Sequence, residues 1–190
     1  MLGYTLAASE PVETEEVARL LRLAKLGDIA AFEGLLRMYE AQVARTALRL
    51  LGARQDAQDA AQEVFLRLYQ RISQIDSAGN LSGWLYRVTV NASYDILRKR
   101  RSSGAVALDE ARLSVESSTE AELGRDQQRK LVAEALRTLP EKERAAVALR
   151  DIEGLSTREV AGILGSSEAT VRSQISTARL KIRKFLRSRL

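Results

Sequence analysis

The chain has 190 residues, a net charge of +5, and neither cysteine nor histidine. Those two absences remove disulfides, thiolate nucleophiles, imidazole bases and nearly all zinc chemistry at once. No GxxxxGK(S/T) or GxGxxG phosphate loop is present, so no enzymatic activity, cofactor or metal is expected.

Hydrophobic residues make up 45% and charged residues 29%, the balance of a globular chain. No apolar run approaches a membrane span. The N-terminal MLGYTLAASEPVE lacks the basic flank of a secretory signal, and residues 1–13 carry no other pattern. A cytoplasmic protein is expected, with no membrane insertion and no sensory domain after Leu190.

The charge is unevenly placed. Residues 168–190 hold seven basic groups against one acid, and RKRR at 98–101 adds four more, which leaves the remainder at −5. Two basic patches on a mildly acidic chain point to a polyanion touched in two places. Each patch taken alone also reads as a solvated helix face.

Helical periodicity runs nearly throughout, which predicts an all-α fold. A first helix is expected from Glu15 to Leu26, ended by Gly27. Asp28 caps a second that runs to Gly52. A third spans Asp56 to Ser73 and buries Ala60, Val64, Leu68 and Ile72; its other side carries Asp56, Asp59, Gln62, Glu63 and Arg67. By spacing this is a solvated face or a docking surface for a protein. SQIDSAGNLS reads as a loop by composition. The helix from Ser82 to Arg100 turns Leu85, Val88, Ala92 and Ile96 inward. Arg87, Asn91, Tyr94 and Arg98 share the opposite face at i, i+4, i+7, i+11. A base, an amide and an aromatic in one stripe suit unstacked DNA, while spacing alone favours a solvated face with Trp84 and Tyr86 in the core.

Residues 102–124 hold five acids, one base and no aromatic, and read as a flexible linker. Helices then resume. Arg125 to Thr138 is one, and Pro140 suits the first turn of the next, which ends near Gly154. Ser156 and Glu159 have capping-box spacing. The short helix they start turns Val160, Ala161 and Leu164 to one side and stops at Gly165. Ser166 or Ser167 caps the last helix, in which Val171, Ile175, Ala178, Ile182 and Phe185 recur every three or four residues. This is a helix-turn-helix pattern. Its outer face, with Arg172, Ser173, Ser176, Thr177 and Arg179, can reach base edges and phosphates in a major groove. An αα-hairpin packed as ordinary core is the alternative.

DAQDAAQEVFLRLYQRI, then GWLYRVTVNASYDILRKRR, then LPEKERAAVALRDIEGLSTREVAGILGSSEATVRSQISTARLKIRKFL follow one another in the chain. Their order and spacing resemble the extracytoplasmic-function (ECF) class of bacterial RNA polymerase sigma factors. The resemblance implies two small helical domains joined by the linker: sigma region two at 14–101, the linker at 102–124, and sigma region four at 125–190. Region two would bind the β′ clamp helices of core RNA polymerase through Asp56, Asp59, Gln62, Glu63 and Arg67. It would also open the −10 promoter element through Trp84, Arg87, Asn91, Tyr94 and Arg98, with Asn80 in the loop Ser77 to Leu81 holding a flipped base. Region four would read the −35 element through Arg172, Ser173, Gln174, Ser176, Thr177, Arg179 and Lys181, while another of its surfaces meets the β flap. Gln174, Ser176 and Thr177 depart from the residues common at these positions, which affects the DNA sequence read. An anti-sigma factor is the expected controlling partner. The alternatives are a stand-alone operator-binding regulator and a helical adaptor.

Overall fold

Asp28 and Gly52 bracket one long helix as their chemistry dictates. The Asp28 carboxylate accepts from the Ala31 backbone N–H at 3.0 Å, and Gly52 sits at φ 71°, where its N–H closes on the Leu48 carbonyl. The computed structural model describes residues 11–102 and 120–189 of the chain. The helices are α1 (Pro11–Lys25), α2 (Ile29–Leu51), α3 (Arg54–Arg71), α4 (Ala78–Ser102), α5 (Glu120–Arg137), α6 (Glu141–Val147), α7 (Thr157–Leu164) and α8 (Glu168–Arg187). A 3₁₀ turn follows α3 at Ile72–Gln74, and a π turn follows α6 at Ala148–Ile152. There is no strand among the described residues, so the fold is all-α.

The helices form two groups. In the first, α1 to α4 pack around Leu35, Val43, Ala60, Val64, Leu68, Leu81 and Leu85, all essentially inaccessible to solvent. These positions recur at three- and four-residue spacings along each helix, so each contributes one apolar stripe. In the second group, α8 packs against α5, α6 and α7, with Leu136, Leu139, Val147 and Ala178 forming one cluster.

A further cluster belongs to both groups. Leu50, Tyr86 and Val90 from α2 and α4 pack with Ala145, Leu149, Val160, Ile163, Val171 and Ile175. Arg144 is buried there as well. It donates to the carbonyls of Leu50, Arg137 and Leu139, the last two at 3.1 and 3.0 Å. These are the carbonyl ends of α2 and α5, where a cation offsets the unpaired C=O groups. Burial pulls the Arg144 pKa below the ordinary guanidinium value, and Glu141 opposes that shift.

Several sequence expectations shift. The helix expected from Ser82 begins at Ala78, so Asn80 lies in its first turn and not in a loop. Leu81 is fully buried, and one added turn brings it into the stripe of Leu85, Val88 and Ala92. The helix expected from Arg125 begins at Glu120. Pro140 precedes α6 as an extended cap residue, and Ser167, not Ser166, caps α8 by accepting from the Thr170 N–H. In α7 the third buried side chain is Ile163, with Leu164 half-buried beside it. Residues 1–10 and 103–119, with most of the expected linker, lie outside the described residues.

Candidate nucleic-acid interface

α7 and α8 are set by local chemistry. The Ser156 hydroxyl accepts from the Glu159 N–H at 3.2 Å, and the Glu159 carboxylate accepts from the Ser156 N–H at 2.7 Å, a closed capping box. The Ser156 side chain first, and then its backbone N–H, hold the Glu159 carboxyl below the usual carboxylate range. Gly165, at φ 59°, turns the chain into Ser167 and α8. Val171, Ile175 and Ala178 are buried, which fixes the rotation of α8 and turns its opposite side to solvent.

That rotation divides the seven −35 candidates. Arg172, Ser176 and Arg179 line one groove with Arg150, Thr157 and Arg183. Ser173 is exposed, whereas Gln174 and Thr177 are half-buried on the other flank. Lys181 reaches Glu143 of α6 at 2.8 Å. Arg183 lies one stripe step beyond Arg172, Ser176 and Arg179, so helical spacing could have added it to the site. Arg150 comes from the π turn, which no sequence signal marks.

Two cations of this groove, Arg172 and Arg179, are pre-paired. Arg179 holds Asp151 with two bonds at 2.8 and 2.6 Å, and Arg172 holds Glu168 at 2.7 Å. Exposed pairs of this kind contribute about 0–1 kcal/mol each, so a phosphate can replace the carboxylate at little cost. Among the described residues, neither Arg150 nor Arg183 forms an ion pair. A groove lined by four guanidinium groups presents donors for phosphates and for guanine edges.

On α4, Asn80, Arg87, Asn91 and Arg98 are exposed. Arg98 pairs with Asp95 at 2.8 Å. Trp84 is half-buried against the first-group core. Arg87 and Tyr94 face the second group: Arg87 donates to the Gly162 carbonyl at 2.5 Å, and the Tyr94 hydroxyl to that of Glu141 at 3.5 Å. Burial first, then Glu141, pushes the Tyr94 phenol up to about 12. In the RKRR patch, Arg100 is paired with Asp56 and Arg101 with Glu141.

On α3, Asp59 and Gln62 are exposed, while Asp56 turns inward to Arg100. Glu63 and Arg67 pair with each other at 2.6 Å. Gln62 lines a groove of about 930 Å³ between α2 and α3, floored by Leu36, Leu48 and Phe65. A smaller groove of about 410 Å³ runs between α5, α6 and α8, lined by Val132, Leu136, Ile152, Ile182 and Leu186. Among the described residues no cluster of carboxylates could hold a metal, and no helix is long and apolar enough to cross a membrane.

Fold and groove together define a helical DNA-binding protein of the helix-turn-helix class. Sigma-70 region 2 matches residues 35–103, and Sigma-70, region 4 matches residues 129–182. Over 171 residues the chain is 37% identical to the ECF RNA polymerase sigma factor SigE of Mycolicibacterium smegmatis, covering 84% of this chain and 64% of that one. Over 183 residues it is 31% identical to the RNA polymerase sigma-H factor of Pseudomonas aeruginosa, covering 90% of this chain and 94% of that one. Among solved structures, CnrH in complex with the cytosolic domain of CnrY superposes with a TM-score of 0.67 at 25% identity, over 91% of this chain and 98% of that one. The sigma factor RpoE of Bartonella quintana, solved with the anti-sigma factor NepR, shares the fold at a TM-score of 0.69 and 22% identity, over 84% of this chain and 98% of that one. The chain belongs to the ECF sigma factors of bacterial RNA polymerase.

Proposed function

We propose that this chain docks on core RNA polymerase and directs it to promoters by reading two DNA elements with its two helical groups. The observation that carries the reading is the cationic groove of Arg150, Arg172, Arg179 and Arg183 on a capped helix-turn-helix. That groove engages the −35 duplex, with Arg172 and Arg179 giving up their carboxylate partners to DNA. The α4 stripe of Arg87, Asn91, Tyr94 and Arg98, with Trp84 and Asn80, engages unpaired −10 bases. The first domain takes residues 14–101, the second 125–190, and the linker 102–124.

The groove between α2 and α3 gives the polymerase a dock for a helical partner, the β′ clamp helices, with Asp59 and Gln62 at hand. The apolar groove on α5, α6 and α8 suits a second protein helix, that of the β flap or of an anti-sigma factor. Neither reading step breaks a covalent bond, so the chain selects the start site in the cytoplasm and the polymerase performs the chemistry. Run-off transcription with core polymerase on promoters of the source organism tests this: a discrete transcript that depends on the added chain is expected. A tight operator footprint by the chain alone, with no transcript, would instead indicate a stand-alone regulator.

A further inference from the structure

The groove beside α8 holds a hydroxyl that the fold does not use. Thr157 opens α7 and lines that groove with Arg150, Arg172, Ser176, Arg179 and Arg183. We propose that Thr157 is a phosphorylation site: a phosphoryl group on its Oγ1 is held by the four arginines and closes the groove to DNA. Its consequence for promoter reading rests on the groove being the −35 surface.

The charge of the groove fits such a group. Two carboxylates answer its four guanidinium groups: Arg172 holds Glu168, and Arg179 holds Asp151. Among the described residues Arg150 and Arg183 form no ion pair, so the groove keeps a charge of +2. Glu159, two residues beyond Thr157, is turned back onto the Ser156 N–H at 2.7 Å. A phosphorylated threonine carries about −1.5 to −2 charges at neutral pH and three acceptor oxygens, which matches the surplus. Guanidinium groups bind phosphoryl oxygens through paired N–H donors. The groove offers about 360 Å³ for the added group.

Neighbouring hydroxyls are less suited. Ser156 and Ser167 accept the capping bonds of α7 and α8, so a phosphoryl group on either would break a cap. Ser173 and Ser176 lie inside α8, where an enzyme reaches the hydroxyl only by unwinding a helix whose other side is buried. The half-buried Thr157 makes no hydrogen bond through its hydroxyl. Gly154, Leu155 and Ser156 before it lie outside any helix. Only the first turn of α7 must fray to present it, and helix ends open at the lowest cost.

The donor is a nucleoside triphosphate and the catalyst a protein serine/threonine kinase. Thr157 Oγ1 attacks the γ-phosphorus, and the bond from that phosphorus to the β–γ bridging oxygen breaks. Nucleoside diphosphate leaves, and the hydroxyl proton passes to a carboxylate base of the kinase. The new group then occupies donors that a DNA phosphate would take, and its charge repels the phosphates on either side. Hydrolysis by a phosphatase returns the free hydroxyl.

The full chain with phosphothreonine encoded at 157, and the same chain after phosphatase treatment, form the test pair. Fluorescence anisotropy on a −35 duplex should show at least a tenfold loss of affinity that the phosphatase reverses. The slope of log affinity against log salt should flatten by about 2, because Arg150 and Arg183 are already neutralised. Phosphorus NMR reads the seat itself. The second ionisation, ordinarily at about pH 6, should fall to lower pH because guanidinium groups favour the dianion. Arg150→Gln together with Arg183→Gln should move it back. Peptide mapping of the chain recovered from growing and stationary cells of the source organism should find the phosphoryl group on Thr157.

A phosphorus titration at the ordinary pH, or one that the two glutamines leave unmoved, overturns the arginine seat. Equal duplex affinity before and after the phosphatase overturns the block of DNA. So does a loss of affinity that comes with lost helical circular dichroism, which would mean unfolding. Unmodified Thr157 in both growth states overturns the modification. If the dephosphorylated chain binds no −35 duplex and supports no transcription with core polymerase, the sigma reading of the groove fails. The phosphorus titration and the peptide map still decide whether Thr157 is the site.

Discussion

The guanidinium of Arg87 in α4 donates to the carbonyl of Gly162 in α7 at 2.5 Å, 75 residues further along the chain. On the proposed reading of α4, two demands meet on this side chain, capping a helix of the other half and contacting unpaired DNA. Arg87→Ala should therefore separate them. Permanganate reactivity of unpaired −10 thymines is expected to fall, while affinity for a −35 duplex stays level. An unchanged permanganate pattern would confine Arg87 to the contact between the halves.

The groove on α8 predicts a difference between two arginines. If Arg172 meets a base edge, Arg172→Ala should cost about 1–3 kcal/mol and relax sequence preference at one −35 position. Arg183 lies further along the same stripe. Arg183→Ala should weaken all duplexes alike and lower the salt-dependence slope by about 1. Fluorescence anisotropy on duplexes at several salt concentrations checks both; equal loss of sequence preference in the two variants would contradict the assignment. The half-buried Gln174 and the Glu143-paired Lys181 are expected to matter less than Arg172.

Most of the fold was legible because helix ends carry local chemistry. Asp28, Gly52, Ser156 with Glu159, and Gly165 act within three or four residues of themselves, and each sits where its cap requires. Asn80 shows the limit: a Ser, Gly and Asn-rich segment reads as loop, yet burial of Leu81 draws it into α4. α4 shows a deeper one. Its first stripe, from Leu85 to Ile96, hides a second, formed by Tyr86, Val90 and Tyr94, which faces the other half. Spacing arguments operate inside one helix. They cannot find Glu153, whose partners Thr46, Arg49 and Tyr86 lie 107, 104 and 67 residues away, nor Arg150, which a π turn carries into the groove beside α8.

The capping box predicts a pH dependence. The Ser156 side chain and backbone N–H hold the Glu159 carboxyl below the ordinary carboxylate range. A carboxyl with a lowered folded-state pKa contributes stability that is fully present above its unfolded value and lost as pH falls through the folded one. Thermal melts should therefore show Glu159→Gln less stable than the parent at neutral pH, with the gap closing below about pH 4. Ser156→Ala removes the other bond and should cost about 1 kcal/mol at neutral pH. A gap that persists unchanged into acid would show that Glu159 contributes by packing and not by charge.

Gly52 and Gly165 make a matched pair for the contact between the halves. Both hold positive φ, 71° and 59°, so alanine at either pays a left-handed penalty of about 1–2 kcal/mol. Their surroundings differ. A Cβ on Gly165 meets nothing within 4 Å, whereas one on Gly52 lies 3.0 Å from Cγ and 3.1 Å from Cδ of Arg137, which belongs to α5. Gly165→Ala should lower the melting temperature and leave the separation of the halves unchanged. Gly52→Ala should do both, because the stem of Arg137 must move away from α2. Donor and acceptor dyes on Gln70→Cys and Ser188→Cys, read by single-molecule energy transfer, report that difference; equal energy transfer in the two variants would mean that Arg137 yields without disturbing the packing of α5 on α2.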